Sequence, residues 1–153
     1  MNRLSPLYIS FSLLLASCAT QPAADLQSRW DNIVYQGLDS EIAALELDNA
    51  KDCGFFDLTS LAPKARNKKL EAILHCAYKA QADGAPFKLG YTWLPLDSKV
   101  SQIILSQPQG YWVRTVDIML DGSSADVITQ KCETVVPDFE SLDMELRDCF
   151  PLK

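Results

Sequence analysis

The hydrophobic pattern of this chain changes period at Pro86, and that change constrains the fold more than any other feature. Upstream, large apolar residues recur every three or four positions, as on one face of a helix; downstream they alternate, as on one face of a strand. Phe87, Leu89, Tyr91 and Trp93 interleave with Lys88, Gly90 and Thr92, the pattern of a half-buried strand. Helices first and strands afterwards must bury their apolar sides against one another, so the expected class is α+β.

Three helices are expected before the switch. Leu26, Trp30, Ile33 and Val34 fall at helical spacing from Asp25 to about Gln36, with Gly37 as the stop. Asp39 and Ser40 suit the cap of a short second helix, Glu41 to Asp48, with Ile42 and Leu45 on one side. The third runs from about Pro63 to Ala82, where Leu70, Ile73, Leu74, Ala77 and Tyr78 make a stripe between an initiating proline and a terminating Gly84. Lys64, Arg66, Lys68 and Lys69 crowd its first half, where they oppose the helix dipole. A solvated face is the plain reading of that cluster, and contact with lipid headgroups or an acidic surface is the alternative. Cys53 to Leu58 reads as a connecting segment or an edge strand with buried aromatics.

After Phe87–Trp93, a second strand is expected from Val100 to Ser106, a third from Tyr111 to Leu120 and a fourth from Asp126 to Thr134. The turns between the last three are Gln107-Pro108-Gln109-Gly110 and Asp121-Gly122-Ser123-Ser124. Short connections favour antiparallel neighbours, so the expectation is N-terminal helices covering one face of a four-stranded antiparallel meander. The third strand carries large apolar residues in both alternating sets, which leaves its core face open. From Pro137 to Lys153, Phe139, Leu142 and Leu146 fall at helical spacing and suggest a short helix held by Cys149.

The first residues have a different character. Arg3 is followed by an apolar stretch from Leu4 to Leu15 that is too short to span a bilayer but matches the core of a secretory signal. It ends in Leu15-Ala16-Ser17-Cys18, which resembles the lipobox of bacterial lipoproteins. The resemblance implies a signal peptide at 1–17, removal of that leader, diacylglycerol and acyl attachment at Cys18, a short lipidated tether over 18–24 and a single periplasmic domain over 25–153. Ala19 after the cysteine resembles outer-membrane sorting. Two or three acyl chains would hold firmly, since each buried CH₂ contributes about 0.8 kcal/mol.

With Cys18 committed to lipid, Cys53, Cys76, Cys132 and Cys149 remain, an even number in an exported chain. Four cysteines allow three connectivities. Joining Cys53 to Cys76 and Cys132 to Cys149 is favoured because each bond staples neighbouring segments. Their wide spacing and the single histidine, His75, argue against a zinc site, and no cofactor is expected.

Charge narrows the partners. The whole chain carries 14 basic and 20 acidic side chains, and loss of the leader takes only Arg3, leaving a formal charge of −7. Nucleic acid is a poor fit. A basic protein in the envelope suits this charge, as does plain solubility.

Candidate chemistry is sparse. His75 and Cys76 are adjacent on a helix and point about 100° apart, which disfavours a catalytic pair. The acidic turn at 121–126 does not have calcium-loop spacing. Tyr91, Trp93, Tyr111 and Trp112 are the candidate binding surface, because exposed aromatics anchor interfaces; core packing is their competing role. A non-catalytic protein-binding module is therefore expected, an inhibitor or immunity protein against an envelope-targeting enzyme. An accessory subunit of an outer-membrane or envelope assembly complex is the alternative, and a hydrolase using paired carboxylates the third reading.

Overall fold

The computed structural model describes residues 23–152, with side chains from Gln27 onward; Cys18 and the expected leader lie outside the described residues. Helices α1 (Ala23–Tyr35) and α2 (Leu38–Ala44) precede strand β1 (Lys51–Asp57) and helix α3 (Pro63–Ala82). Strands β2 (Phe87–Trp93), β3 (Ser98–Gln107), β4 (Gly110–Met119), β5 (Ala125–Asp138) and β6 (Asp143–Pro151) follow. The fold is α+β, and the strands lie in sequence order in one six-stranded mixed sheet.

The four strands expected after Pro86 form β2 to β5, each antiparallel to the next. The expected four-stranded antiparallel meander is corrected at both edges. At one edge β1 pairs parallel to β2, with α3 as the crossover that parallel neighbours require. Its alternation is broken in the sequence by an irregularity between Asp52 and Gly54, where Gly54 takes φ 93 and its N–H donates to Asp52 Oδ1. Lys51 N–H donates to Pro86 O and Leu58 N–H to Thr92 O, fixing the strand's two ends.

At the other edge, the expected C-terminal helix is instead β6, antiparallel to a long β5. The helical spacing of Phe139, Leu142 and Leu146 is produced by a turn. Asp138 accepts from the N–H of Glu140 and of Ser141 and from the Ser141 hydroxyl, and Leu142 takes φ 58. Met144 then enters the core opposite Pro137, and Cys149 lies directly across from Cys132. Ladder pairing and burial outweigh a helical spacing that spans only three apolar residues.

A second correction concerns the faces of the sheet: helices cover both. On one, Ile73, Leu74, Ala77 and Ala80 of α3 pack with Phe87, Leu89, Tyr91, Ile104, Val113 and Val135. On the other, Val34, Leu38 and Leu47 pack with Ile103, Leu105, Trp112, Val116 and Ile118. The two alternating sets of β4 thus serve two cores, which is why neither set is polar. Full burial of a Leu or Ile contributes about 1.5–3 kcal/mol, so both layers are substantial. Gly90 admits the second layer: a Cβ there would lie 2.6 Å from the Phe55 ring, which meets Tyr35 of α1 edge-on.

Helix α2 begins at Leu38, earlier than expected, after Gly37 in the left-handed region, and Ser40 sits inside its first turn, donating to Gly37 O. Polar clamps hold α1. Arg114 of β4 donates to the carbonyls of Gln36 and Ile33, closing the helix C-terminus with a cation. At the other side Lys99, 4% exposed, donates to Asp57 Oδ2 at 2.9 Å and stands 4.9 Å above the Trp30 ring. Asp57 is partly buried, which raises its pKa, but Thr59 and Lys99 outweigh this and hold it below the usual carboxylate range.

Disulfides join Cys53 to Cys76, tying β1 to α3, and Cys132 to Cys149, tying β5 to β6. No described helix is long and apolar enough to cross a membrane.

Candidate binding site

Strand β2 ends in a cleft on the α3 side of the sheet. Tyr91 and Trp93, two residues apart on one face, have ring centroids 5.5 Å apart and form one wall. Leu58 beyond β1 and Leu70 of α3 form the floor, and Leu94 and Leu142 stand at the mouth of a space of about 310 Å³. Arg66, in the first turns of α3, is the cation on its lining, and Asp143, at the start of β6, is the carboxylate.

The Tyr91 hydroxyl holds the site together. It is 2.5 Å from Asp143 Oδ1 and 3.0 Å from the Gln102 amide. A phenol has one proton, and the carboxylate, nearer and charged, takes it. The Gln102 side-chain carbonyl Oε1 faces the same hydroxyl from the other side. Asp143 Oδ1 also accepts the Met144 N–H at 2.7 Å. Burial first, and then the Asp143 charge and hydrogen bond, push the Tyr91 phenol well above the ordinary tyrosine range. Tyr91 is thus a neutral brace between β2 and β6.

The mouth is apolar and exposed. Leu96, two residues beyond Leu94 in the β2–β3 connection, is 93% exposed, and Leu61 and Leu94 are also open to solvent. The β5–β6 turn, whose Ser141 and Leu142 line the cleft, also carries Asp138 and Glu140. The Ser141 hydroxyl, and then the N–H of Glu140 and of Ser141, hold Asp138 below the ordinary carboxylate range and fix the turn's shape.

Of the four aromatics expected to form a surface, only Tyr91 and Trp93 meet here. Tyr111 lies at the far end of β2, against Phe87, where its hydroxyl accepts from Gln81. Trp112 points to the opposite face and is buried in the α1/α2 core. The proposed four-residue patch is corrected to a two-residue wall, because neighbouring residues of β4 face opposite sides. The basic cluster divides as well: Lys64 and Lys68 are exposed, Lys69 lies 3.5 Å over the Phe56 ring, and Arg66 turns to the cleft.

Other candidates fall into structural roles. Cys76 is spent in its disulfide, and His75 stacks on Phe139 at 4.6 Å. The turn at 121–124 is built by Asp121 accepting from Ser123 N–H, with Gly122 at φ 73. Among the described residues no group of three or more His, Cys, Asp or Glu is placed to hold a metal ion. Asp143 is the one carboxylate on the cleft lining, engaged by Tyr91 and Met144.

Sequence reasoning missed Arg66, Leu94, Leu142 and Asp143 as members of this site. The available signal was Trp93-Leu94-Pro95-Leu96, which places two leucines around a proline just past a strand. No family model, curated protein or solved structure matches the chain.

Proposed function

We propose that this protein is a lipid-anchored envelope lipoprotein, attached through Cys18 to the outer membrane and facing the periplasm, that binds a partner protein non-catalytically at the Tyr91–Trp93 cleft. An inhibitor or immunity role against an envelope-targeting enzyme fits this arrangement. The observation that carries the reading is the cleft mouth: an aromatic wall beside Leu94, which the fold leaves in water, with the almost fully exposed Leu96 two residues further along the same connection. Apolar groups gathered at one open site, with an aromatic anchor and a polar lip, are the usual composition of a protein-binding surface. Asp138 and Glu140, in the turn that supplies Ser141 and Leu142 to the lining, favour a partner that is basic around its apolar contact, through faster encounter more than tighter holding. The two disulfides suit an oxidising compartment, consistent with export.

Two experiments test the reading. Mass spectrometry of the mature N-terminus is expected to find diacylglycerol and acyl groups on Cys18, and Cys18→Ser to release the protein; an unlipidated start elsewhere removes the anchor. A photo-crosslinking residue at position 94, used in the native envelope, is expected to capture one protein that the same residue at position 127 does not. Equal capture at both positions, or none at 94, removes the cleft as the contact surface.

A further inference from the structure

We propose that the cleft recognises a C-terminal aliphatic residue, its side chain against Trp93 and Leu142 and its carboxylate on Arg66. This deepens the protein-binding reading above and rests on it.

Arg66 motivates the assignment. It is the cation on an otherwise mostly apolar lining, it is partly buried, and its guanidinium makes no hydrogen bond or ion pair among the described residues. It stands where a cation is locally unfavourable, early in a helix that has no acidic residue in its first turn and no side-chain cap. A guanidinium is a planar fork that matches a carboxylate with two parallel hydrogen bonds. An anion between it and the cleft would relieve both the idle donors and the unfavourable charge.

Asp143 supplies the complementary half. Its Oδ1 is taken by Tyr91 and Met144, while Oδ2 makes no hydrogen bond among the described residues. That oxygen can accept the N–H of a bound residue. A group with a carboxylate for Arg66, an apolar side chain for the walls and an N–H for Asp143 is the last residue of a peptide.

Size selects the same class. Small-molecule sites span roughly 300–1,000 Å³, so about 310 Å³ is at the bottom of the range. It suits one leucine-sized side chain with its backbone rather than the paired chains of a membrane lipid. Because Tyr91 is braced on both sides and the β5–β6 turn is held by Asp138, the walls are formed before the ligand arrives, which lowers the ordering cost of binding.

The probe is the peptide acetyl-Gly-Gly-Ser-Leu, as the free acid and as its carboxamide, titrated into the purified protein while the indole N–H resonance of Trp93 is followed. The free acid is expected to saturate the shift at a concentration about tenfold or more below the amide, the usual worth of a charge-assisted contact. Arg66→Gln should abolish that preference, and Lys68→Gln, on the exposed face, should keep it. If acid and amide bind alike, the carboxylate assignment fails while the cleft remains a contact surface. If neither moves Trp93 at millimolar peptide, both the assignment and the cleft reading fail. Tighter binding of decanoate than of the free-acid peptide overturns the peptide in favour of a lipid amphiphile.

Discussion

The Tyr91 hydroxyl donates a 2.5 Å hydrogen bond to Asp143 Oδ1, joining β2, next to one edge of the sheet, to β6, the strand at the other edge. Residues 52 positions apart are thereby made neighbours in one wall, and the bond is what gives the cleft a fixed shape.

Its first consequence is alkaline sensitivity. The folded Tyr91 pKa lies above the unfolded value of about 10, so the contribution is fully present below pH 10 and declines as pH rises above it, because the unfolded chain releases the proton more readily. Urea denaturation should show wild type losing more stability between pH 9 and 11 than Tyr91→Phe. Parallel losses would contradict the assignment.

Asp57, the partner of Lys99, behaves in the opposite sense. Asp57 is depressed, so its contribution is present above the unfolded carboxylate pKa and is lost as pH falls through the lower folded value. Removing the carboxylate leaves a buried ammonium. Asp57→Ala should therefore cost roughly 2–3 kcal/mol, less than the 3–5 of a fully buried pair because the Asp57 side chain is 42% exposed. The double variant Lys99→Met/Asp57→Ala should be more stable than Asp57→Ala alone, as measured by denaturant midpoints. A double variant that is less stable would show that the pair is not the coupled unit.

Gly90 tests the layer that α1 adds. Gly90→Ala places a methyl 2.6 Å from the Phe55 ring and 3.2 Å from Gln102 O, and should destabilise by about 1–3 kcal/mol. Phe55→Leu in the same chain should recover part of that loss, since residues in contact do not act additively. Additive losses would mean that the backbone of Gln102, not Phe55, sets the limit.

Breaking the Cys132–Cys149 bond by Ala substitution should cost about 3 kcal/mol and act unevenly. Hydrogen exchange should rise most over Asp143–Pro151, while β2 to β4 stay comparatively protected. Uniform acceleration would show that β6 is integral to the core sheet.

The legible parts of this fold are those in which a local pattern and the tertiary structure agree. Pro63 and Gly84 bound α3, and the alternation from Phe87 to Trp93 is β2, so two walls of the cleft could be read from sequence. The parallel edge was obscured because the irregularity at Gly54 breaks the alternation of β1. The hairpin strand β6 was obscured because the turn after Asp138 counterfeits helical spacing at Phe139, Leu142 and Leu146. Arg66 is marked in the sequence only as one of four basic residues early in α3, and Asp143 only as one of several acidic residues near the C-terminus. They become a pair only when the start of β6 brings Asp143 to Tyr91 of β2, and that depends on Met144 reaching the α3 core and Cys149 reaching Cys132.

On the protein-binding reading, the mouth of the Tyr91–Trp93 cleft is covered when the protein is at work. Hydrogen exchange in the native envelope, set against the purified protein, tests it most directly. Protection is predicted at the amides of residues 94–97, excepting Pro95, and of residues 141–144, with little change at residues 127–129 of β5, which are outside the cleft lining. Protection confined to residues 127–129, or no difference at the cleft, would contradict it.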